Sequence, residues 1–240
     1  MVDLSPRWDP SFFRRSPLFW PIARPAEALQ GFDDWPEPEQ LARVFEGEPP
    51  VRFERARSKP RRGRMPPDAP RYDARIALDR VVPTRARSWH DLLSALVWGS
   101  LPRAKLALHT RQHRMIGARL GADLRLPGAR TKEQDAVAML DEGGVVILRA
   151  PESACAVIFG HAIYEGLVCG APPNVRGAAY VVEVATLEDD APRRLSSADV
   201  ALAALLSREA PIGRAELESV LVDEELAPDR FRTPTFLQGV

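Results

Sequence analysis

The segment from Val82 to Leu108, VPTRARSWHDLLSALVWGSLPRAKLAL, constrains the architecture of this chain more than any other stretch. Ser88 followed by Asp91 has the spacing of a capping box, in which a hydroxyl and an acid three residues later satisfy free N–H groups at a helix start. Trp89, Leu92, Leu93, Leu96 and Val97 then recur at the three- and four-residue intervals that line one side of a helix. That stripe is expected to lie in the core. Pro102 marks a second start, because its fixed φ suits the first turn and its missing N–H costs nothing there. The second helix is expected to run to Leu120 and stop at Gly121.

The flanking segments add shorter elements. Thr131 and Gln134 repeat the capping pattern, and the helix they open is expected to end at Gly143-Gly144. Val145 to Leu148 reads as a short buried strand and Ala178 to Val184 as a second. Tyr72-Asp73-Ala74-Arg75-Ile76 and Leu78 alternate in strand fashion, and Pro83 ends that run. Ala154 to Val168 reads as one helix with Ile158, Ala162, Glu165 and Val168 aligned, a strand over Val157-Ile158-Phe159 being the alternative. Ser197 to Ser207 and Arg214 to Leu221 are expected to be amphipathic helices separated by Pro211-Ile212-Gly213. No regular βαβ alternation is present. The expected fold is therefore a helix-rich single α+β domain with a small sheet, spanning residues 70–240.

Residues 1–69 have a different composition. More than half of the 23 prolines precede Thr84, which forbids long helices and strands there. The same region holds Trp8, Phe12, Phe13, Phe19, Trp20, Phe32, Trp35, Phe45 and Phe53, which a solvated linker would not carry. It is expected to be an ordered arm wrapped on the main domain, with a helical turn over EPEQLARVF that places Leu41, Val44 and Phe45 on one side. Within it RFERARSKPRRGRMPP, around residues 52–64, reads as a mobile basic loop, with nucleic-acid contact as its minority alternative.

Charge excludes little, since 33 basic residues balance 33 acidic ones. Cations dominate between Thr84 and Arg130 and acids dominate after Glu183, so the two regions are expected to neutralise each other within one fold. The first residues, MVDLSPRWDP, have no signal-peptide pattern, and no window is apolar enough to span a bilayer. The expectation is a cytoplasmic protein with no membrane partner. Cys155 and Cys169 have neither zinc-site spacing nor disulfide-framework spacing and are expected to be reduced thiols. Cys155 lies among apolar neighbours, where a thiol is inert. The fingerprints of P-loop nucleotide hydrolysis, Rossmann redox chemistry, elbow-type serine hydrolysis and zinc-helix proteolysis are all missing from the sequence.

Four groups of residues could carry chemistry. Trp89-His90-Asp91 places an imidazole and a carboxylate at a helix start, where His90 could act as a base or ligand, although capping alone explains Asp91. His161 and Glu165 are four apart, stacked on one helical face, which suits either a shared metal or a carboxylate-oriented imidazole. His161 is expected to point toward Trp89-His90-Asp91. Asp135, Asp141 and Glu142 could bind Mg²⁺ together with His90 or His161, but Asp141-Glu142-Gly143-Gly144 is more simply a polar turn after a helix. Arg85, Arg103 and Lys105 flank the central helix and form the candidate anion site, with ordinary ion pairs as the alternative. His109 and His113 read as surface residues, since Arg111 and Arg114 beside them would repel a metal.

With the central segment, the runs GRMPPDAPRYDARIALDRVVPTR, EQDAVAMLDEGG and FGHAIYEGL resemble the bacterial family called domain of unknown function 3025. The resemblance extends from about Pro70 to Val184 with a weaker echo in TPTFLQG. It implies relatives and no activity. From the residues themselves the expectation is an enzyme, a candidate hydrolase, whose pocket gathers His90, Asp91, His161 and Glu165 around an anionic small-molecule substrate. A divalent metal is allowed by these residues and not required by them. The alternative is a noncatalytic binding or scaffold protein in which the same polar residues fix helix packing. Oligomeric state is not set by the sequence.

Overall fold

Ser88 opens the central helix by accepting a hydrogen bond at its Oγ from the Asp91 N–H at 3.4 Å. The computed structural model describes residues 7–56, 71–120, 129–170, 175–213, 216–223 and 226–227. In chain order its elements are α1 (Ala23–Glu27), β1 (Arg52–Arg55), α2 (Tyr72–Asp79), β2 (Val81–Thr84), α3 (Trp89–Ser100) and α4 (Pro102–Gly117). They continue as α5 (Lys132–Gly143), β3 (Gly144–Arg149), β4 (Ala154–Ile158), α6 (His161–Val168), β5 (Val175–Glu183), α7 (Ala191–Ser207) and β6 (Glu218–Val222). The result is a helix-rich α+β domain with two small sheets among the described residues.

The α3 stripe is buried as its spacing requires, with Leu93, Leu96 and Val97 at 0% exposure. The capping box is only half made. The Asp91 carboxylate turns away from Ser88 and accepts from the Arg85 guanidinium, at 2.6 Å from Nη2. Ser88→Ala is expected to lower stability by about 1 kcal/mol through the lost cap; an unchanged denaturation midpoint would contradict the role assigned to Ser88. α4 follows at once from Pro102, and its first free amides are satisfied from another element. The buried Asp199 of α7 accepts from Ala104 N at 2.8 Å and Arg103 N at 3.3 Å.

The larger sheet has the order β4-β3-β5-β6, with β3 antiparallel to β4, parallel to β5, and β5 antiparallel to β6. Val145, Val146 and Ile147 of β3 are all at 0% exposure, so this strand is covered on both faces. The arm joins the same core. Trp8, Phe12 and Trp35 surround Trp89 with ring centroids 5.8, 5.0 and 4.9 Å away, and Phe19 stacks on Tyr164 of α6 at 5.6 Å. The arm aromatics therefore brace the start of α3 and the middle of α6, the two helices that carry His90 and His161.

Five local expectations are corrected. Tyr72 to Leu78 is helical, because Ala, Arg and Leu are strong helix formers and only Ile76 is buried, while Leu78 is exposed. Arg80 in the left-handed region, φ 58°, ends that helix and turns the chain into β2. Ala154 to Val168 is broken at Phe159-Gly160 into β4 and α6, close to the alternative strand reading of Val157 to Phe159. Within Arg214–Leu221, residues from Glu218 form β6, where Val220 and Val222 are buried and alternate with exposed Ser219 and Leu221. Arg52 to Arg55, read as part of a mobile loop, pair in parallel with Val81 to Thr84. The basic stretch beyond Ala56 and the TPTFLQG segment lie outside the described residues. α7 starts earlier than Ser197, since Asp190 caps it by accepting from Arg193 N at 2.7 Å.

Candidate functional site

Two glycines bring the site together. A Cβ on Gly160 would lie 2.4 Å from Gly144 N and 2.5 Å from Glu142 O, so only glycine lets the start of α6 approach the end of α5 this closely. The Phe159 and Gly160 amides both donate to Gly144 O at 2.9 Å and hold the approach. Asp141 and Glu142, on the last turn of α5, are thereby placed beside His161, the first residue of α6. α3 packs across α6 and adds His90.

The contacts form a chain. Glu165 Oε2 lies 3.0 Å from His90 Nδ1, His90 Nε2 lies 3.1 Å from His161 Nε2, and His161 Nδ1 lies 2.8 Å from the Asp141 carbonyl oxygen. Glu142 Oε2 is 3.6 Å from His161 Nε2. A carboxylate and a carbonyl only accept, so each Nδ1 carries the proton and donates. With both rings neutral, each would present a bare Nε2 lone pair to the other. Two lone pairs cannot satisfy one another, and a proton or a cation must lie between them.

His90, His161 and Glu142 line a cleft of about 400 Å³ together with Tyr72, Thr84, Arg85, Asp91, Ser94 and Asp141, while Glu165 holds His90 from outside that lining. His161 is buried, whereas the side chains of His90 and Glu142 are 35% and 53% exposed, so the cleft reaches solvent on their side. Burial pushes the His161 imidazole down to about 4, with Lys105 and His90 adding to the effect and Asp141 opposing it. Burial raises the Glu142 carboxyl, and the neighbouring charge of Asp141 pushes it further in the same direction. Burial would raise Asp141 as well, but Lys105, His109 and His161 outweigh it and hold this carboxyl well below the usual carboxylate range. Lys105 Nζ approaches Asp141 Oδ1 to 2.7 Å from a fully buried position.

Of the candidate residues, His90, His161 and Glu165 converge. Asp91 lines the same cleft but is committed to Arg85. The anion trio is not assembled: Lys105 is locked behind Asp141, Arg85 is paired with Asp91, and Arg103 lines a separate groove between α4 and α7 with Arg80, Arg111 and Arg114. Two readings change. Asp141-Glu142 does more than terminate a helix, while Asp135 stays exposed in the first turn of α5, at the opposite end. His109, expected at the surface, is buried, with Nδ1 2.9 Å from Asp73 Oδ1 and its ring stacked on Trp98. The sequence signal for Glu142 was the pair of glycines after it and the glycine before His161, which together mark a close backbone approach.

Residues 61–156 match the family model described as "Protein of unknown function (DUF3025)", in agreement with the resemblance of the motifs that fall within that range. The match includes α3 and His90, the end of α5 and Glu142, and stops before His161. No curated protein and no solved structure matches the chain. No helix among the described residues is long and apolar enough to cross a membrane.

Proposed function

We propose that this chain is an enzyme, a hydrolase that activates water where the Nε2 atoms of His90 and His161 converge. The observation that carries the reading is the 3.1 Å approach of two imidazole lone pairs whose outer nitrogens are both engaged, at the floor of an open cleft. Glu165 orients His90 and the Asp141 carbonyl orients His161, which fixes both tautomers before substrate arrives. Arg85, with its side chain 64% exposed at the cleft, is the cation within reach of an anionic substrate group. The same reading has the protein working in the cytoplasm, where two unpaired thiols such as Cys155 and Cys169 stay reduced.

The burial of His161 favours one competing reading, a noncatalytic binding or scaffold protein in which the pair only fastens α3 to α6. A panel of chromogenic carboxylic esters and phosphate mono- and diesters separates the two. For a hydrolase, wild-type protein turns over one ester class, His90→Gln lowers the rate by about 100-fold or more, and Glu165→Gln lowers it by about 10-fold or more. Equal rates in wild type and His90→Gln would overturn the proposal.

A further inference from the structure

We infer that His90 Nε2, His161 Nε2 and the Glu142 carboxylate bind one divalent transition-metal ion of the zinc class. The inference deepens the hydrolase reading by naming what lies at the convergence point, and it rests on that reading only for the ion's use, since the ion would bind whether or not a substrate is turned over.

The geometry is that of a ligand set. Two nitrogens bound to one ion at about 2.0–2.1 Å stand roughly 3.0 Å apart in an octahedral cis arrangement and roughly 3.4 Å apart in a tetrahedral one. The observed Nε2 separation of 3.1 Å falls between these values. One ligand atom from each of His90, His161 and Glu142 lies within 4.8 Å of the other two, the one cluster of this kind among the described residues. Glu142 faces His161 Nε2 at 3.6 Å. Hydrogen bonds hold the opposite ring nitrogens, His90 to a carboxylate and His161 to a backbone carbonyl, which is how histidine ligands are oriented in metal sites.

Charge points the same way. Around the two rings Arg85 is paired with Asp91 and Lys105 with Asp141, and among the described residues Glu142 and Glu165 form no direct ion pair with a lysine or arginine, although the charges of Lys105 and Arg85 reach them. Two carboxylates with no directly bonded lysine or arginine, set beside two imidazoles, suit a divalent ion. A bare proton would balance only one of them. The donor set of two imidazoles and one carboxylate selects a borderline ion such as Zn²⁺ over Mg²⁺ or Ca²⁺, which take oxygen ligands. Three protein ligands leave coordination positions open, and the solvent-reaching side of the cleft can fill them with water. Water on such an ion loses its proton near neutral pH, which supplies the hydroxide that the hydrolase reading requires.

The test uses the full chain, stripped with a chelator and titrated with Zn²⁺ by calorimetry and with Co²⁺ by visible absorption. One ion per chain is expected, with Co²⁺ bands in the visible range. Glu142→Gln and His90→Gln, both at partly exposed positions, should weaken binding by about 10-fold and 100-fold or more, and Glu165→Gln by about 10-fold or more through loss of orientation. His113→Gln, on α4, should bind like wild type, and thermal melts of the ion-free variants check that each is folded. Failure of the folded wild type to bind either ion, or binding unchanged in both Glu142→Gln and His90→Gln, overturns the ion site. Stoichiometric binding without any hydrolysis leaves the ion site standing and counts against the hydrolase. Hydrolysis that survives complete chelation leaves the hydrolase standing and overturns the ion's use in it, while the titration alone decides the ion site.

Discussion

Replacing Arg111 with methionine is expected to destabilise the fold by about 3–5 kcal/mol, among the largest effects available to a single substitution in this protein. Arg111 is 1% exposed on α4, and its guanidinium closes the end of α7. Nη1 donates to Leu206 O at 3.1 Å and Arg208 O at 2.6 Å, Nη2 donates to Ala210 O at 2.6 Å, and Nε donates to Glu133 Oε1 at 2.9 Å. These carbonyls belong to the last turn of α7 and the chain just after it, where a helix has no partners of its own for them. Methionine fills much of the volume but leaves the Leu206 and Ala210 carbonyls without this donor, and leaves Arg208 O and the partly buried Glu133 carboxylate with only the 3.4 Å contacts from Arg114 Nη2 and Ile212 N. Arg111→Lys should recover little, because a single ammonium cannot reproduce the planar fork that reaches α5 and α7 together. Urea denaturation of both variants checks this; a loss below about 1 kcal/mol in Arg111→Met would show that water replaces the clasp.

Arg111 also illustrates what the sequence could and could not disclose. Its positive charge was legible, and so was the need for acids to meet the basic middle of the chain, but nothing local marks it as the residue that binds three carbonyls nearly a hundred positions away. Features written within one turn of helix were legible. Ser88, the stripe through Val97, Pro102 and the Thr131–Gln134 box all act through neighbours three or four residues apart, and α3, α4 and α5 start where those signals stand. Features decided by distant partners were not. Residues 218–222 are a strand because β5 offers an open edge, and Tyr72–Asp79 is a helix packed on α4, although its alternation alone fits a strand. His109 is buried because Asp73 arrives from α2 to accept its proton.

The candidate site divides along the same line. His161 and Glu165 share a helical face by spacing alone, and the need of a buried histidine for a polar partner pointed to the start of α3. Glu142 was harder to place. Its position beside His161 depends on the contact of Gly144 with Gly160, two residues separated by the whole β3–β4 hairpin. The anion trio is not gathered for a related reason: Arg85 precedes α3, while Arg103 and Lys105, two apart on α4, point from it to different sides, one to the groove with α7 and the other to Asp141.

Lys105→Met is the second substitution with a large expected effect, about 3–5 kcal/mol in ion-free protein at neutral pH. The ammonium is fully buried, 2.7 Å from Asp141 and 5.7 Å from the centre of the Phe159 ring, so its removal strands the Asp141 carboxylate in a low-dielectric setting. Asp141→Asn in the same chain should restore more than about 1 kcal/mol, because the stranded charge is then gone, and a double-mutant cycle would report the coupling. The sign of the pH dependence follows from the depressed Asp141 pKa. In wild type this group contributes stability that is present above the ordinary carboxylate range and is lost as pH falls through the depressed value. In Lys105→Met the largest depressing influence is absent and burial raises the carboxyl instead, so protonation relieves the variant as pH falls. The gap between wild type and variant should therefore shrink from neutral pH toward pH 4 when denaturation is followed with chelator present. A gap that stays constant over that range would mean that lost packing of the lysine stem, and not the unpaired carboxylate, dominates the cost. Because the Asp141 carbonyl also holds His161 Nδ1, the variant should bind Zn²⁺ less tightly even though Lys105 is no ligand.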